Sequence, residues 1–488
     1  MLLVALAMVA IIGMAALSID VIVLYLAKEE AQHSADTAAL AAAKVLSLSG
    51  ITGDPTNLSS NWGHICGPDD GTNGLAARVA KAVANQNLVG GIVPTTVNVT
   101  YSAGSASSSP GTTDCTSLTT SAFGINPVVT VQIIRTGVPN FFSRIWGSTG
   151  TNVSATASAE ALNSSNSAST GSSGTIVPVQ PRCVKPWIIP NKDPLYPIPS
   201  SPVAFCDQLG QPACSPFVDL GTGAIQHQGI SIGGTSTNGA IGERFLLIPD
   251  CRLSFPGTCV PRLAGIQANH TTNGGGIPTL PNLEYLPGQT LYASTAVPSA
   301  ASGGSFYQQA IAGCDQTTVY YCGVPSSSPI GSGPNMVDLS VNPASTNDTT
   351  DGVAALIHEI NPNSNSQPDG QDTFNPIGSP TSYPFQIFPG TRNPTGLAGT
   401  VPITTSRSIV SLPIYDSSGV NTFTAFSPTP VPVTIVGFLQ VFINYVDQYG
   451  NVDVTVLNVT GCGNGGTTPV GTALAGSSPV PVRLITPP

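Results

Sequence analysis

LLVALAMVAIIGMAALSIDVIVLYLAKEEAQHSADTAALAAAKVL, residues 2–46, is the stretch on which the fold turns. Residues 2–27 carry a single charge, Asp20, and the first charge cluster is Lys28, Glu29 and Glu30. An alanine-rich run follows to Leu46, with Gly13 as the sole glycine and no proline. Eighteen or more apolar residues, at about 1.5 Å of rise each, are long enough to cross a bilayer. The reading is therefore one helix, a membrane span continuing as a stalk. No basic segment precedes Asp20, which reads as an uncleaved anchor rather than a signal peptide. Neither flank has the Lys/Arg excess that would orient the span.

Asp20 is expected at the headgroup boundary and solvated there, because residues 2–19 alone supply about 27 Å of helix. The alternative keeps it in lipid, paired with a partner subunit. Further along, Ala31, Ser34, Ala35, Ala38, Ala39 and Ala42 fall at helical spacing. Such a face of small side chains lets another helix or a sheet approach closely, so these residues and Asp20 are the candidate packing and assembly positions. Asp36 and Lys44 lie away from its centre.

The rest of the 488 residues has 52 glycines, 44 prolines and only 8% charged side chains. Fifteen Lys and Arg against 25 acids give a net charge of −10, and no basic patch that would hold nucleic acid is visible. Helical periodicity marks 75–88, and strands are expected at 95–101, 127–136 and 152–161. The segment VPNFFSRIWG, 138–147, reads as a short helix whose Phe141, Phe142, Ile145 and Trp146 enter the core. The run 162–175 is low-complexity and reads as a linker or an exposed loop. Beyond it, short apolar runs broken by Pro, Gly and Asn imply many short strands, with coil over 361–401 and one helix at 352–358.

The fold class is accordingly α+β. The expected parts are an anchor and stalk helix (1–49), a small α+β domain (50–161), a Ser/Asn/Gly-rich linker (162–175) and a β-rich, loop-rich domain (176–488). The last strands are allowed to return to the first sheet.

Ten cysteines are present. Cys206 and Cys214, Cys251 and Cys259, and Cys314 and Cys322 each enclose seven residues, and no zinc-type C-x2-C knuckle occurs. Three equal short loops read as disulfide staples made in an oxidising compartment. The remaining expected pairs are Cys66 with Cys115 and Cys183 with Cys462. The cysteines put the bulk of the chain outside the cytoplasm.

Residues 13–46 resemble the N-terminal segment of TadG-like Flp pilus-assembly proteins. In that family an anchor runs into an Asp-Val pair, a Tyr/Leu step, a polar Gln and an Ala-Asp-x-Ala-Ala-Leu-Ala-Ala-Ala helix. Asp20, Val21, Tyr25, Leu26, Gln32, Ala35, Asp36, Ala38, Ala39, Leu40 and Ala41 to Ala43 match it. The aromatic segment 138–147, followed by VSATASAEA at 153–161, is similar to the family as well. Looser likenesses occur at CVKPWIIPN (183–191), SFYQQAIAGC (305–314), GPNMV (333–337) and VTIVGFLQVFI (433–443). The resemblance implies a non-catalytic structural or assembly component of a Tad/Flp-type pilus or secretion apparatus. It would be held by one span in a bacterial cell membrane, with other pilus subunits as partners and a homo-oligomer as one option. A surface adhesin or a filament subunit polymerised through the helix is the alternative. Gly13 is followed five residues later by Ser18 rather than Glu, so a pilin-type cleavage site is not supported.

Chemical motifs are sparse, and neither an enzyme nor a cofactor is expected. Gly229-Ile-Ser231-Ile-Gly233 has the letters of a nucleophile elbow, but the following residues are poor helix formers. An anchored hydrolase built on Ser231 is the weakest reading. Asp338-x-Ser340-x-Asn342 departs from the D-x-S-x-S metal motif of von Willebrand A domains at its last position. His33, His64, His227, His270 and His358 are scattered, and His358-Glu359 has no second histidine at zinc spacing.

Overall fold

The computed structural model describes residues 2–103, 111–118, 123–124, 126–140, 142, 147, 150–163, 179–181, 183–198, 206–207, 213–232, 239–251, 259–260, 280–288, 297–298, 301–314, 320, 336–343, 347–362, 368–374, 382–397, 399–418, 430–462, 474–476 and 479–485. They form a long apolar N-terminal helix followed by a β-rich chain, an α+β fold, in two compact units. One comprises Met1–Ser47, Trp62–Ala161 and Val482–Pro488; the other comprises Leu48–Asn61 and Leu162–Pro481.

In the first unit, α1 runs unbroken from Leu2 to Leu48. Alanine and leucine favour it, and Gly13 is its least favourable residue. It stops where Gly50 takes φ 75°, a left-handed conformation that glycine adopts without strain. Helices α2 (Trp62–Cys66) and α3 (Leu75–Gln86) follow. The alanines of α3 at 76, 77, 80 and 84 form its buried stripe. Three antiparallel strands then make a meander: β1 (Thr96–Ala103), β2 (Pro127–Val138) and β3 (Thr151–Ala161). The C-terminal strand Val482–Ile485 adds to the far end of β3, pairing Val482 with Ala161 and Ile485 with Ser158. The ion pair of Arg483 with Glu160 lies on that pairing. Trp62 packs edge-on against Phe123 at 5.2 Å, and the Cys66–Cys115 disulfide, Cα atoms 5.5 Å apart, lies beside them.

The second unit is built on a closed barrel of six strands: β4 (Trp187–Pro190), β5 (Arg244–Pro249), β6 (Asn282–Pro287), β7 (Ile409–Tyr415), β8 (Ile435–Val446) and β9 (Val452–Gly461). Its order is β7-β8-β9-β5-β6-β4, closing back on β7, with parallel pairs at β5/β6 and β4/β7. Closure leaves no open edge, which suits strands as apolar as VGFLQVFI. Nearly every residue of β8 and β9 is buried. Across the β9/β5 pairing Arg244 meets the buried carboxylate of Asp453 through Nε at 2.9 Å and Nη2 at 2.8 Å. Two short helices, α4 (Phe306–Ala312) and α5 (Asp348–Ile357), accompany the barrel.

Several sequence expectations need correction. Cys183 pairs with Cys314, Cα atoms 4.1 Å apart, so neither Cys183–Cys462 nor a Cys314–Cys322 staple forms. The reason is tertiary. The end of α4 lies against the segment leading into β4, where Lys185 Nζ donates to the carbonyl of Ile311 at 2.7 Å and to that of Gly313. Cys206–Cys214 and Cys251–Cys259 are bonded as spaced, Cys462 is also disulfide-bonded, and Cys322 lies outside the described residues. Leu162 and Asn163 are not linker. Both are buried, and the Asn163 amide donates to the Val459 carbonyl at 3.1 Å while accepting from Thr460 Oγ1 at 2.8 Å. The remainder of the linker expectation, 164–175, lies outside the described residues. The 361–401 stretch is not all coil, since Thr373–Phe374 pairs with Ile387–Phe388. Helices α2 and α4 went unread because five and seven residues are too short to show a period.

Candidate assembly site on the anchor helix

The two halves of α1 differ in what covers them. Ala31, Ser34, Ala35, Ala38, Ala39 and Ala42 are fully buried within the chain. The candidate packing face is thus occupied by the protein's own fold. Ser34 Oγ reaches the carbonyl of Ala84 at the end of α3, and Asn87 Nδ2 donates to Thr37 Oγ1 at 3.3 Å. Glu30 Oε2 accepts the Gly90 N–H at 2.6 Å.

The polar residues of the stalk have a definite task. Among the described residues the C-terminal strand pairs with 158–161, and no strand pairs with the first half of β3 along that edge. Lys28 Nζ donates to the Ser154 carbonyl there, and Gln32 Nε2 donates to the Thr156 carbonyl at 3.3 Å. Four residues of helix advance about 6 Å and two residues of strand about 6.6 Å, so the two elements keep step. Side chains one helical turn apart therefore reach alternate carbonyls and cover an edge that would otherwise invite pairing with another chain.

Toward the N-terminus the pattern reverses. Val4, Met8, Ile11, Ile12, Met14, Leu17, Ile19, Val21, Ile22, Tyr25 and Leu26 are all exposed. Residues Ile11–Leu48 form a helix long and apolar enough to cross a membrane. Asp20 breaks the pattern differently from the sequence expectation. It is only 5% exposed, and both its carboxylate oxygens accept the Phe142 backbone N–H at 3.2 Å. It is thus buried rather than solvated, and the N–H it accepts comes from the β2–β3 connection. Ala16, one turn earlier, is buried as well. Of the four aromatic-segment positions assigned to the core, Phe142 is half-buried, and Phe141, Ile145 and Trp146 lie outside the described residues.

Magnitudes weigh on where lipid would end. An acid at a span's centre costs about 2.5–3.5 kcal/mol on insertion scales, and less toward the boundary. Val21, Ile22, Tyr25 and Leu26 each keep more than half their surface. Removing that surface from water returns roughly 1 kcal/mol per side chain, about 3–6 kcal/mol together. For a helix placed in lipid, that return would match or exceed the cost of Asp20, which is already hydrogen-bonded.

The chemical candidates elsewhere do not assemble into a familiar centre. Among the described residues no three His, Cys, Asp or Glu are grouped as metal ligands. Asp338 Oδ1 accepts from the Ser340 N–H at 3.0 Å and from its hydroxyl, a local turn. Ser231 is fully buried, its N–H on the Ile241 carbonyl at 2.6 Å. His227 Nδ1 lies 3.1 Å from buried Asp193, with the Tyr196 ring stacked on it at 3.5 Å. Glu243 is buried beside that aspartate; burial first, then the Asp193 charge, hold its carboxyl well above the usual range. Spacing could not show this group, since its members come from three separate loops. A cleft of about 280 Å³ is lined by His358, Asn393, Arg407 and Ser408 around Asp372, which is held by the Gly390 N–H, the Asn393 amide and Ser406. Burial, then Arg407, push the His358 imidazole down.

Among the described residues, then, one helix fits a single membrane span; it is apolar and exposed in its first half and a core element in its second. Residues 1–45 match the family model described as Flp pilus-assembly TadE/G-like. The N-terminal segment is TadE/G-like, as its resemblance implied, and the match supports a role in pilus assembly. It ends before α2, so the likenesses read at 138–161 and beyond 183 have no counterpart in it. Neither a curated protein nor a solved structure matches the chain.

Proposed function

We propose that this protein is a membrane-anchored, non-catalytic assembly component of a Tad/Flp-type pilus or secretion apparatus, with its bulk outside the cytoplasm. One observation carries the reading: the TadE/G-like segment is a single helix whose exposed apolar half continues into a half buried in the fold. An anchor built this way transmits position directly to the sheet it supports. Because the small-residue face is already used, subunit partners would meet the exposed apolar half or the loops of the barrel unit. The disulfides support the extracytoplasmic orientation, since such bonds persist in oxidising compartments.

Antibody raised against residues 176–488 tests this on whole cells. The expected label is sparse, at the cell envelope, on protein that only detergent releases from membranes. Label along the length of fibres would replace the anchor with the filament-subunit reading. The burial of Ser231 weighs against the hydrolase reading. Ester or glycan turnover lost in Ser231→Ala would reinstate it.

A further inference from the structure

We infer that the cleft beside the C-terminal end of α5 is a binding site for a sugar acid, one pyranose ring carrying a single carboxylate. The site lies within the second unit and does not depend on how the anchor helix is read.

The walls come from separate segments that one buried carboxylate ties together. His358 caps α5, Asn393 and Pro394 sit on the loop after Ile387–Phe388, and Arg407 and Ser408 lead into β7. Asp372 is 7% exposed. Its Oδ1 accepts the Gly390 N–H at 3.0 Å and Asn393 Nδ2 at 2.8 Å, and its Oδ2 accepts Ser406 Oγ at 2.5 Å. The Ser408 carbonyl in turn accepts the Ile443 N–H of β8 at 2.8 Å. Walls pinned in this way lose little freedom when a ligand enters.

Several polar groups of the cleft are left over. Ser408 is 1% exposed, and its Oγ has no partner among the described residues. Nε2 of His358 is buried without a partner as well. Buried polar atoms nearly always have partners, so two orphans on one cleft call for a group that supplies them. Arg407 is exposed and makes no ion pair or side-chain hydrogen bond among the described residues.

Charge and size select the ligand. Arg407 and Arg392 both act on the His358 ring, and Asp372 opposes them. Two cations against one carboxylate leave a single positive charge, which suits a monoanion. A phosphate of charge near −2 would overshoot that balance and meet Asp372. Asp372 already spends its oxygens on three donors, so it does not compete for Arg407, whose planar fork matches a ligand carboxylate. The Ser408 hydroxyl both donates and accepts, as sugar hydroxyls do. Burial, then Arg407, push the His358 imidazole below its usual range, so Nε2 belongs to a ring that is uncharged at neutral pH. Ile357 and Pro394 add apolar surface for the C–H face of a ring. The volume of about 280 Å³ lies just under the roughly 300–1,000 Å³ of pockets for drug-sized ligands, which leaves room for one ring.

Saturation-transfer NMR and calorimetry on the full chain in detergent test the inference with methyl glucuronide, methyl glucoside and inorganic phosphate as probes. The glucuronide is expected to bind. The glucoside, which has a hydroxymethyl group in place of the carboxylate, should bind about tenfold more weakly or worse, the loss of a charge-assisted contact. Arg407→Met should weaken the glucuronide by the same factor and leave the glucoside unchanged; the side chain is exposed, so the fold survives its loss. Ser408→Ala should weaken both sugars without lowering the Tm of the free protein, because its hydroxyl has no bond there to lose. No binding of either sugar overturns the inference. So do equal affinities for the two sugars, glucuronide binding that survives Arg407→Met, and displacement of the glucuronide by an equal concentration of phosphate, which would mark a site for bare anions.

Discussion

Replacing Lys185 with methionine should remove a pH dependence of stability that the native protein shows between about pH 7.5 and 9.5. Lys185 is buried on the segment entering β4, and its Nζ faces the last carbonyls of α4, those of Ile311 and Gly313. Burial alone pushes its ammonium down to about 7. The neutral amine suits the site, having two N–H donors for two carbonyls that the end of a helix leaves unmatched. In the unfolded chain the group returns to about 10.4. Between these values the unfolded state binds the extra proton, so stability rises with pH by about 1.4 kcal/mol per unit. Over the two units from pH 7.5 to 9.5 the gain is roughly 2–2.5 kcal/mol, and it disappears as pH falls through 7. Methionine has similar length, no charge and no donor. At pH 9.5 Lys185→Met should cost about 1–3 kcal/mol for the carbonyls left without a partner. By pH 7.5 the two proteins should have converged by the amount the native one loses. Urea unfolding in detergent, followed through Trp187 two residues away, gives both curves. Parallel curves across the window would refute the reasoning, because Lys185 would then be charged in the fold.

The other expectations concern the disulfides, the acid pair, the barrel and Asp20. Converting Cys183 and Cys314 to alanine frees a loop with a separation of 131, against 8 for Cys206–Cys214. Chain entropy predicts losses of about 5 and about 2.5 kcal/mol, and the denaturation midpoints of the two double variants should rank accordingly. Glu243→Gln should flatten stability above about pH 4.5, because the native carboxyl, held above its usual range, makes the folded state the better proton binder and stability fall as pH rises; thermal melts at pH 5 and 8 compare the slopes. Arg244→Met strips the partner from the buried Asp453 carboxylate and should cost about 3–5 kcal/mol by urea unfolding. Asp20→Ala should leave the fold intact and make the Phe142 amide exchange faster with deuterium, since its acceptor is lost. Unchanged exchange would show that another group holds that N–H.

The helix, its apolar and alanine-rich halves and the three strands of the meander were legible in residues 1–161, because each rests on a local pattern, while the TadE/G-like character rested on a resemblance of motif residues in the first helix. Long runs such as Leu2–Leu48 and Ile435–Val446 declare themselves by propensity and apolar content. The two eight-residue disulfides were legible for the same reason, as short loops close with little entropy. Contacts between distant segments were not. Nothing in the spacing of Cys183 and Cys314 reveals that the end of α4 comes to the segment before β4. Nor does spacing show Asp20 meeting Phe142, Asn163 reaching Val459, or Glu243 beside Asp193. The barrel order, with its two parallel pairs, is likewise a product of how nonlocal strands bury one another. Local sequence sets which elements form; burying their apolar faces together decides which polar groups meet, and those meetings define the candidate sites of this protein.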